Sequence, residues 1–159
     1  MKKHKTLWVG MICAFVPILI TIFLILFVFN QVGKMGENEI LHKTQNYEQL
    51  SQDSLKETTV FFGDSITELC PVEDLYATYT RKTGVPIINR GISAETTDSM
   101  LKRIEKTVLV MKPKNLVMLM GINDIAAKVD NQQIVNNIKQ MITLTKQQST
   151  KTHIILQAV

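Results

Sequence analysis

The feature that most restricts the fold of this chain is the alternation of strand-like and helix-like segments from Thr58 onward. Four short segments are rich in β-branched, aromatic and aliphatic residues, as strands are: Thr59–Phe62, Val85–Ile88, Leu116–Met120 and His153–Leu156. Strands that alternate with helices indicate a parallel sheet with right-handed crossovers. The order therefore predicts a β-α-β-α-β-α-β domain of the α/β class.

Helical spacing fills each gap between these strands. Apolar residues three or four positions apart predict one buried helix face each. The three sets are Val72, Leu75, Tyr76 and Tyr79 after Pro71; Met100, Ile104, Val108 and Met111 before Pro113; and Ile134, Ile138, Met141 and Ile142. Asp130 and Gln133 have the spacing of a capping box for the third helix, and Gly84 is expected to end the first.

The N-terminal part of the chain predicts a membrane anchor. Leu7 to Phe29 contains no charged residue, and as a helix it would extend roughly 34 Å, enough to cross a hydrocarbon core of about 30 Å. A cleaved signal peptide is the alternative, but its apolar core is usually shorter and ends in small residues. The Phe27-Val28-Phe29-Asn30 sequence lacks such a cleavage site, so the pattern favours an uncleaved signal anchor.

Charge sets the expected orientation and organisation. Lys2, Lys3 and Lys5 precede the apolar run, and positive residues stay on the cytoplasmic side. We therefore expect a single-pass protein of the cell membrane with residues 1–6 in the cytoplasm, 7–29 in the bilayer, a stalk at 30–57, and an extracellular domain at 58–159. Acidic and basic residues nearly balance beyond those lysines, and without a clustered basic face nucleic acid is not an expected partner.

Polar, glycine-containing turns follow the first three strands, at the edge where parallel sheets bind ligands. Ser65 lies where the first strand turns towards a helix, and a hydroxyl on a tight turn is a candidate nucleophile. Gly91 has a backbone N–H that a ligand can approach closely, and Asn123 offers a side-chain amide donor. Taken alone, each of these turns could also be an ordinary turn without a catalytic role, because Gly, Asn, Asp and Ser are common in turns. Together they predict an acyl-transfer site with Ser65 as nucleophile and an oxyanion hole.

Three blocks of the chain resemble the SGNH or GDSL-like lipases and acylhydrolases. They are Val60-Phe61-Phe62-Gly63-Asp64-Ser65-Ile66-Thr67, Asn89-Arg90-Gly91-Ile92-Ser93-Ala94-Glu95-Thr96-Thr97, with Ala94-Glu95 where many members carry Gly-Asp, and Gly121-Ile122-Asn123-Asp124. The resemblance covers about Thr58 to Val159. It implies a flavodoxin-like three-layer α/β/α fold, Ser65 as nucleophile, and Gly91, Asn123 and the Ser65 N–H as oxyanion donors. It also implies ester substrates such as lipids or acylated and acetylated glycans, and no cofactor.

One element of the family pattern is missing from the sequence. The base that the family carries in an Asp-x-x-His block is absent, because residues 131–159 contain no Asp or Glu. His4 and His42 precede the domain, and His153 opens the fourth strand, at the end away from the turns. The expectation is thus a domain that stops before its fifth strand. The functions that stay open are a serine ester hydrolase and, as the alternative, a non-catalytic membrane-anchored module that binds an ester or glycan, or an inactive fragment. A nucleotide binder is disfavoured because no Gly-x-Gly-x-x-Gly follows a strand.

Overall fold

The computed structural model describes residues 2–52 and 57–157, with side chains from Phe15 onward. Two compact units are distinguished within it, one ending at Glu39 and the other beginning at Ile40. The second unit therefore includes the last part of the segment predicted as a stalk, while residues 53–56 of that segment lie outside the described part.

Helix α1 (Lys2–Gln52) contains the segment predicted as a membrane anchor and most of the segment predicted as a stalk. Its stretch Phe15–Gln52 contains a window of mean hydropathy 2.4 and, by length and composition alone, is apolar enough to cross a membrane. A signal sequence meets the same criterion. Apolar side chains of this stretch are exposed in the first unit, Phe29 at 72% and Phe23 at 66%.

The second unit is built on a four-stranded parallel sheet, which confirms the predicted α/β fold. Its strands are β1 (Thr59–Gly63), β2 (Ile87–Asn89), β3 (Asn115–Leu119) and β4 (His153–Leu156). They lie in the order β2-β1-β3-β4 with every neighbouring pair parallel. This is the beginning of the flavodoxin-like strand order.

Six helices connect or follow these strands: α2 (Ser65–Glu68), α3 (Val72–Leu75), α4 (Ala77–Thr83), α5 (Thr97–Thr107), α6 (Ile122–Ala126) and α7 (Asn131–Gln148). A 3-10 turn, Leu109–Met111, follows α5. The predicted cap of α7 is present, because the Asp130 side chain accepts a hydrogen bond from the Gln133 N–H at 3.2 Å.

The main core lies between one face of the sheet and the helices α5 and α7. Residues alternate along a strand between the two faces of a sheet, and the inward set from β1 and β3 is Val60, Phe62, Leu116 and Met118. Helix α5 contributes Met100 and Ile104, and α7 contributes Met141, so the predicted inward faces of both helices are confirmed.

The region after Pro71 differs from the single helix that its spacing predicts. The structure has two short helices there, α3 and α4, joined at Tyr76, which has φ −104° and ψ 15°. Val72 is buried, but Leu75 is 65% exposed and Tyr79 is 41% exposed. Tyr76 stacks on Phe61 on the other face of the sheet, with ring centroids 5.8 Å apart. The break between α3 and α4 lets Tyr76 pack on the sheet, and the continuous apolar helix face that the spacing predicts is therefore not formed.

Candidate active site

The three turns singled out in the sequence meet at the carboxyl edge of the sheet. Strand β1 ends at Gly63 opposite Leu119, the last residue of β3, and Phe61 pairs with Asn89, the last residue of β2. Parallel strands in this register deliver the residues that follow them to the same edge. The structure therefore brings the turns that carry Ser65, Gly91 and Asn123 together.

Ser65 is the first residue of α2, directly after β1. Asp64 caps this helix, because its Oδ1 accepts a hydrogen bond from the Ile66 N–H at 3.0 Å. The first N–H groups of a helix have no partner within the helix, and the Ser65 N–H is one of these groups. Within residues 2–52 and 57–157, no side chain hydrogen-bonds to Ser65 Oγ, which is partly exposed. The hydroxyl is thus presented at the edge rather than used in the fold.

Two glycines let the turns approach each other closely. A Cβ on Gly63 would lie 2.4 Å from the Leu119 carbonyl oxygen of β3, and a Cβ on Gly91 would lie 2.3 Å from the Glu68 backbone nitrogen. Both distances are far below contact between heavy atoms. Glycine at position 91 therefore allows the second turn to pack directly on α2, the helix that begins with Ser65, and glycine at position 63 allows the end of β1 to pack against β3 and Thr67.

The loop of residues 89–93, here named the Gly91 loop, is fixed by its own asparagine. The Gly91 N–H donates to Asn89 Oδ1 at 2.8 Å, and Asn89 Nδ2 donates to the Thr67 carbonyl at 2.7 Å and the Cys70 carbonyl at 2.9 Å. The predicted oxyanion donor is therefore engaged within its own turn in this structure. An oxyanion would share this N–H with Asn89 or take its place.

Asn123 lies in the first turn of α6, after Gly121, whose φ of 112° suits glycine. Its Nδ2 donates to the Glu95 carbonyl oxygen at 2.8 Å. This bond ties the third turn to the segment that follows the Gly91 loop. A side-chain amide carries two N–H groups, so the same nitrogen has a second donor for a ligand.

Asp124, next to Asn123, has a structural role in α5. It is 1% exposed, and it accepts hydrogen bonds from the Thr97 N–H at 2.9 Å and the Thr97 hydroxyl at 2.6 Å. Asn137 of α7 also donates to that hydroxyl, at 3.1 Å. These contacts hold the start of α5 against α6 and α7, and they direct the carboxylate away from the role of a base for Ser65.

A buried ion pair lies behind the Gly91 loop. Glu95 is fully buried and Arg103 is 2% exposed; the Arg103 Nε donates to both carboxylate oxygens at 2.9 Å, and its Nη2 also bonds to Oε2. The Arg103 Cζ sits 4.5 Å from the Phe62 ring centroid. Burial raises the pKa of Glu95, while Arg103 acts in the opposite direction. The two side chains support the Gly91 loop from inside the domain and do not extend to the carboxyl edge of the sheet.

Glu68, at the end of α2, joins three elements. Its carboxylate accepts hydrogen bonds from the Ser93 N–H at 2.6 Å and from the Ser93 hydroxyl, and it pairs with Lys43 of α1. Partial burial raises the pKa of Glu68, but the hydrogen bonds from Lys43 and Ser93 outweigh it, so the pKa lies below its ordinary value of 4.5. The carboxylate stays ionised and holds the Gly91 loop against α2.

The two histidines whose side chains the structure describes, His42 and His153, do not join this site. His153 pairs with Asn115, the first residue of β3, which is in register with Thr59 at the amino end of β1. Four residues of strand separate that end from Gly63, about 13 Å at 3.3 Å per residue, as the sequence predicts. His153 instead lines a cavity of about 630 Å³ beside Lys114. His42 is exposed on α1, and the side chain of His4 lies outside the described part.

Sequence reasoning missed most of the residues that support the site. Glu68 directly follows the first block and Ser93 lies within the second, but their pairing joins positions 25 residues apart, for which the chain gives no spacing signal. Arg103 had a weak signal, because it is a cation on the same helix face as the buried Met100 and Ile104. Among the described residues, no group of three or more His, Cys, Asp or Glu side chains is placed to hold a metal ion.

Solved structures with the same fold include three bacterial proteins. A protein from Streptococcus pneumonia, provisionally described as a platelet activating factor, has 24% identity and a TM-score of 0.74, with 82% of this chain and 59% of that one covered. A protein from Bacteroides fragilis, provisionally described as an acylhydrolase, has 28% identity and a TM-score of 0.58, with 70% and 55% covered. A GDSL-like lipase from Bacteroides thetaiotaomicron has 26% identity and a TM-score of 0.58, with 71% and 56% covered. The chain thus spans less than two thirds of the length of each.

Among curated proteins no match is found. The model of one protein family, described as the GDSL-like lipase/acylhydrolase family, matches residues 61–159. The matched segment contains all three turns, with Ser65, Gly91 and Asn123 in it. The family match covers more than half of the chain, and the fold agrees with that of the solved GDSL-like lipase. The chain therefore belongs to the GDSL-like lipase/acylhydrolase family.

Proposed function

We propose that the full-length protein is a serine ester hydrolase that uses Ser65 as its nucleophile. The observation that carries the proposal is the meeting of three turns at one sheet edge, with a Ser65 hydroxyl that takes no part in the fold. Nucleophilic attack needs an exposed hydroxyl on a rigid element and donors for the oxyanion that develops. Helix α2 supplies the rigid element.

The oxyanion donors in this proposal come from three different elements. The Ser65 N–H lies at the start of α2, the Gly91 N–H lies in the loop packed on α2, and Asn123 is oriented by the Glu95 carbonyl. Donors that are held in place before substrate arrives need little reorganisation in the transition state, but the Gly91 N–H must first be shared with or released by Asn89 Oδ1. Ser65 itself requires a base, and within residues 2–52 and 57–157 no side chain hydrogen-bonds to its Oγ.

The proposed substrate is an acyl or acetyl ester of a lipid or glycan that lies outside the cell membrane. Family membership supports the ester bond. The apolar stretch of α1 supports a membrane anchor, and the lysines at the N-terminus support an outward-facing domain. In this proposal residues 1–6 are cytoplasmic, 7–29 span the bilayer, and the domain from Thr58 onward, with the docked end of α1, lies outside.

A second candidate is a non-catalytic module that binds an ester or glycan at the same edge. One observation favours it: within the part of the chain that the structure describes, no base contacts Ser65 Oγ. The two candidates differ in turnover. A binding module retains its ligand without releasing the acid, whereas a hydrolase releases it.

The experiment that separates the candidates is hydrolysis of short-chain p-nitrophenyl esters by the full gene product in detergent micelles. Ser65→Ala removes the attacking oxygen, so we expect loss of turnover with an unchanged thermal unfolding midpoint. Thr143→Ala, which removes an exposed hydroxyl from α7, is the matched control and should leave turnover unchanged. Folded wild-type protein without Ser65-dependent turnover would support the binding module instead.

A further inference from the structure

One face of α1 is in direct contact with the support of the Gly91 loop. Lys43, Tyr47 and Ser51 are four residues apart and therefore lie on the same side of the helix. All three belong to the second compact unit, and each makes a side-chain contact with a residue of the loop or with a residue that holds it. The segment is therefore a structural part of the domain that carries the site.

Tyr47 is the member of this row that reaches the loop backbone. Its hydroxyl donates to the Gly91 carbonyl oxygen at 3.1 Å, and its ring lies 4.8 Å below the Arg90 Cζ. Arg90 in turn donates from Nε to the Ser51 hydroxyl at 3.2 Å, and that hydroxyl donates to the Thr107 carbonyl at 2.8 Å. Tyr47 thus binds the loop through a hydrogen bond and through its ring.

These contacts fix the direction of the Gly91 N–H. A peptide unit is planar, so the N–H of Gly91 turns together with the carbonyl of Arg90, which accepts from the Arg103 Nη2 at 2.9 Å. The next carbonyl, that of Gly91, is held by Tyr47, and the following N–H, that of Ile92, donates to the Gly63 carbonyl at 3.0 Å. The Gly91 N–H itself donates to Asn89 Oδ1, and the backbone on either side of it is held by Arg103 and by Tyr47.

Glu68 makes a second connection between α1 and the loop. It pairs with Lys43 of α1 and accepts the Ser93 N–H at 2.6 Å, and it stands three residues after Ser65 on α2. The nucleophile helix, the Gly91 loop and α1 are thus linked by side chains at both ends of the loop. Small displacements of an oxyanion donor are costly, since about 1 Å of misplacement can lower a rate by about 10²-fold.

We propose that Tyr47 is a positioning residue for ester hydrolysis, which sets the Gly91 N–H for the oxyanion through its hydrogen bond to the Gly91 carbonyl. The proposal rests on the proposed function for its effect on rate, but its structural claim concerns the loop alone. It gives the end of α1 a role in the site. It also explains why the row Lys43, Tyr47 and Ser51 is polar where it meets the domain.

The test compares Tyr47→Phe with Tyr79→Phe in the full gene product. Tyr47→Phe deletes the hydroxyl and keeps the ring under Arg90, whereas Tyr79→Phe deletes a hydroxyl from the exposed surface of α4. One neutral hydrogen bond corresponds to about 1 kcal/mol, and so to about a fivefold change. We expect Tyr47→Phe to lower kcat about fivefold with KM within twofold, and to speed hydrogen exchange at the amides of residues 89–93. Tyr79→Phe should change none of these.

Wild-type kcat together with wild-type exchange in Tyr47→Phe would overturn the proposal. So would a lowered unfolding midpoint with unchanged kcat, because this pattern belongs to a residue that only stabilises the fold. Tyr47→Leu removes the ring contact as well and should lower kcat further than Tyr47→Phe. If Ser65→Ala retains wild-type turnover, the proposed function fails instead, and hydrogen exchange at residues 89–93 then decides the claim about Tyr47 alone.

Discussion

Individual side chains at the carboxyl edge of the sheet divide into those that the fold uses and those that it leaves for a ligand. Asp124 is fully engaged by Thr97, and Glu68 is engaged by Lys43 and Ser93. Ser65 Oγ, in contrast, makes no hydrogen bond within the described residues. Of these adjacent polar groups, the serine hydroxyl is the one whose presence the fold does not explain.

Asn123 is predicted to act on the transition state more than on substrate binding. Asn123→Ala removes one oxyanion donor, and we expect kcat for p-nitrophenyl esters to fall by about 10²–10³-fold with a much smaller change in KM. Asn136→Ala deletes an amide that contacts Gln132 on the exposed face of α7 and serves as the control. If Asn123→Ala lowers kcat by less than tenfold, Asn123 is not an oxyanion donor.

Ala94 is predicted to be strained. It has φ 63°, a left-handed conformation that costs a residue with a Cβ about 1–2 kcal/mol, while glycine loses about 0.5–1 kcal/mol through its freer unfolded chain. Ala94→Gly should therefore raise the free energy of unfolding by about 0.5–1 kcal/mol in urea titrations. Ala126→Gly, in the ordinary helix α6, should lower it by a similar amount. If Ala94→Gly lowers the free energy of unfolding, the backbone of Ala94 is not strained.

At the scale of elements, the Glu95–Arg103 pair joins the segment after β2 to α5. Arg103→Met leaves a buried carboxylate without its partner, which typically costs about 3–5 kcal/mol. Lys102→Met is the matched control, because the neighbouring Lys102–Asp98 pair is exposed, with side chains 73% and 52% accessible, and such pairs contribute at most about 1 kcal/mol. Equal effects of the two substitutions on urea unfolding at pH 7 would show that the buried pair is not required.

The same pair predicts a pH dependence with a defined sign. Burial raises the pKa of Glu95 in the folded protein, and removal of Arg103 raises it further, because the cation that favoured the charged form is gone. A carboxyl with a raised folded pKa favours the fold when it is protonated, and this contribution is lost as pH rises above the unfolded value of 4.5. The deficit of Arg103→Met relative to wild type should therefore shrink from pH 7 towards pH 4. If the difference in free energy of unfolding stays constant between pH 7 and pH 4, the destabilisation by Arg103→Met comes from lost packing and not from the charge of Glu95.

The elements that the sequence predicts correctly are those with local signals. Met100 and Ile104 are spaced for one helix face and are fully buried on α5, and Asp130 caps α7 with Gln133. The three turns also meet at the carboxyl edge of the sheet, as their positions after successive strands predict.

Local spacing gave the wrong prediction after Pro71. Tyr76 packs on Phe61 of the sheet, and this long-range contact outweighs a continuous helix. The bond from Tyr47 to Gly91 spans 44 residues, and no spacing rule encodes it.

At the scale of the whole molecule, the proposal that the domain faces outward can be tested through Cys70. Cys70 is a free, partly exposed thiol in the second unit. A membrane-impermeant maleimide added to intact cells should label wild-type protein but not Cys70→Ser. Labelling of Cys70 that requires cell lysis would place the domain in the cytoplasm and reverse the proposed topology.

The most direct test of the central claim is covalent trapping of the nucleophile. Full gene product in detergent micelles is incubated with an alkyl fluorophosphonate, digested, and analysed by mass spectrometry, with Ser65→Ala as the control. We expect one phosphonylated serine, Ser65, with ester turnover lost in parallel as its modification accumulates. Modification at another serine, or complete modification of Ser65 with full turnover retained, would contradict it.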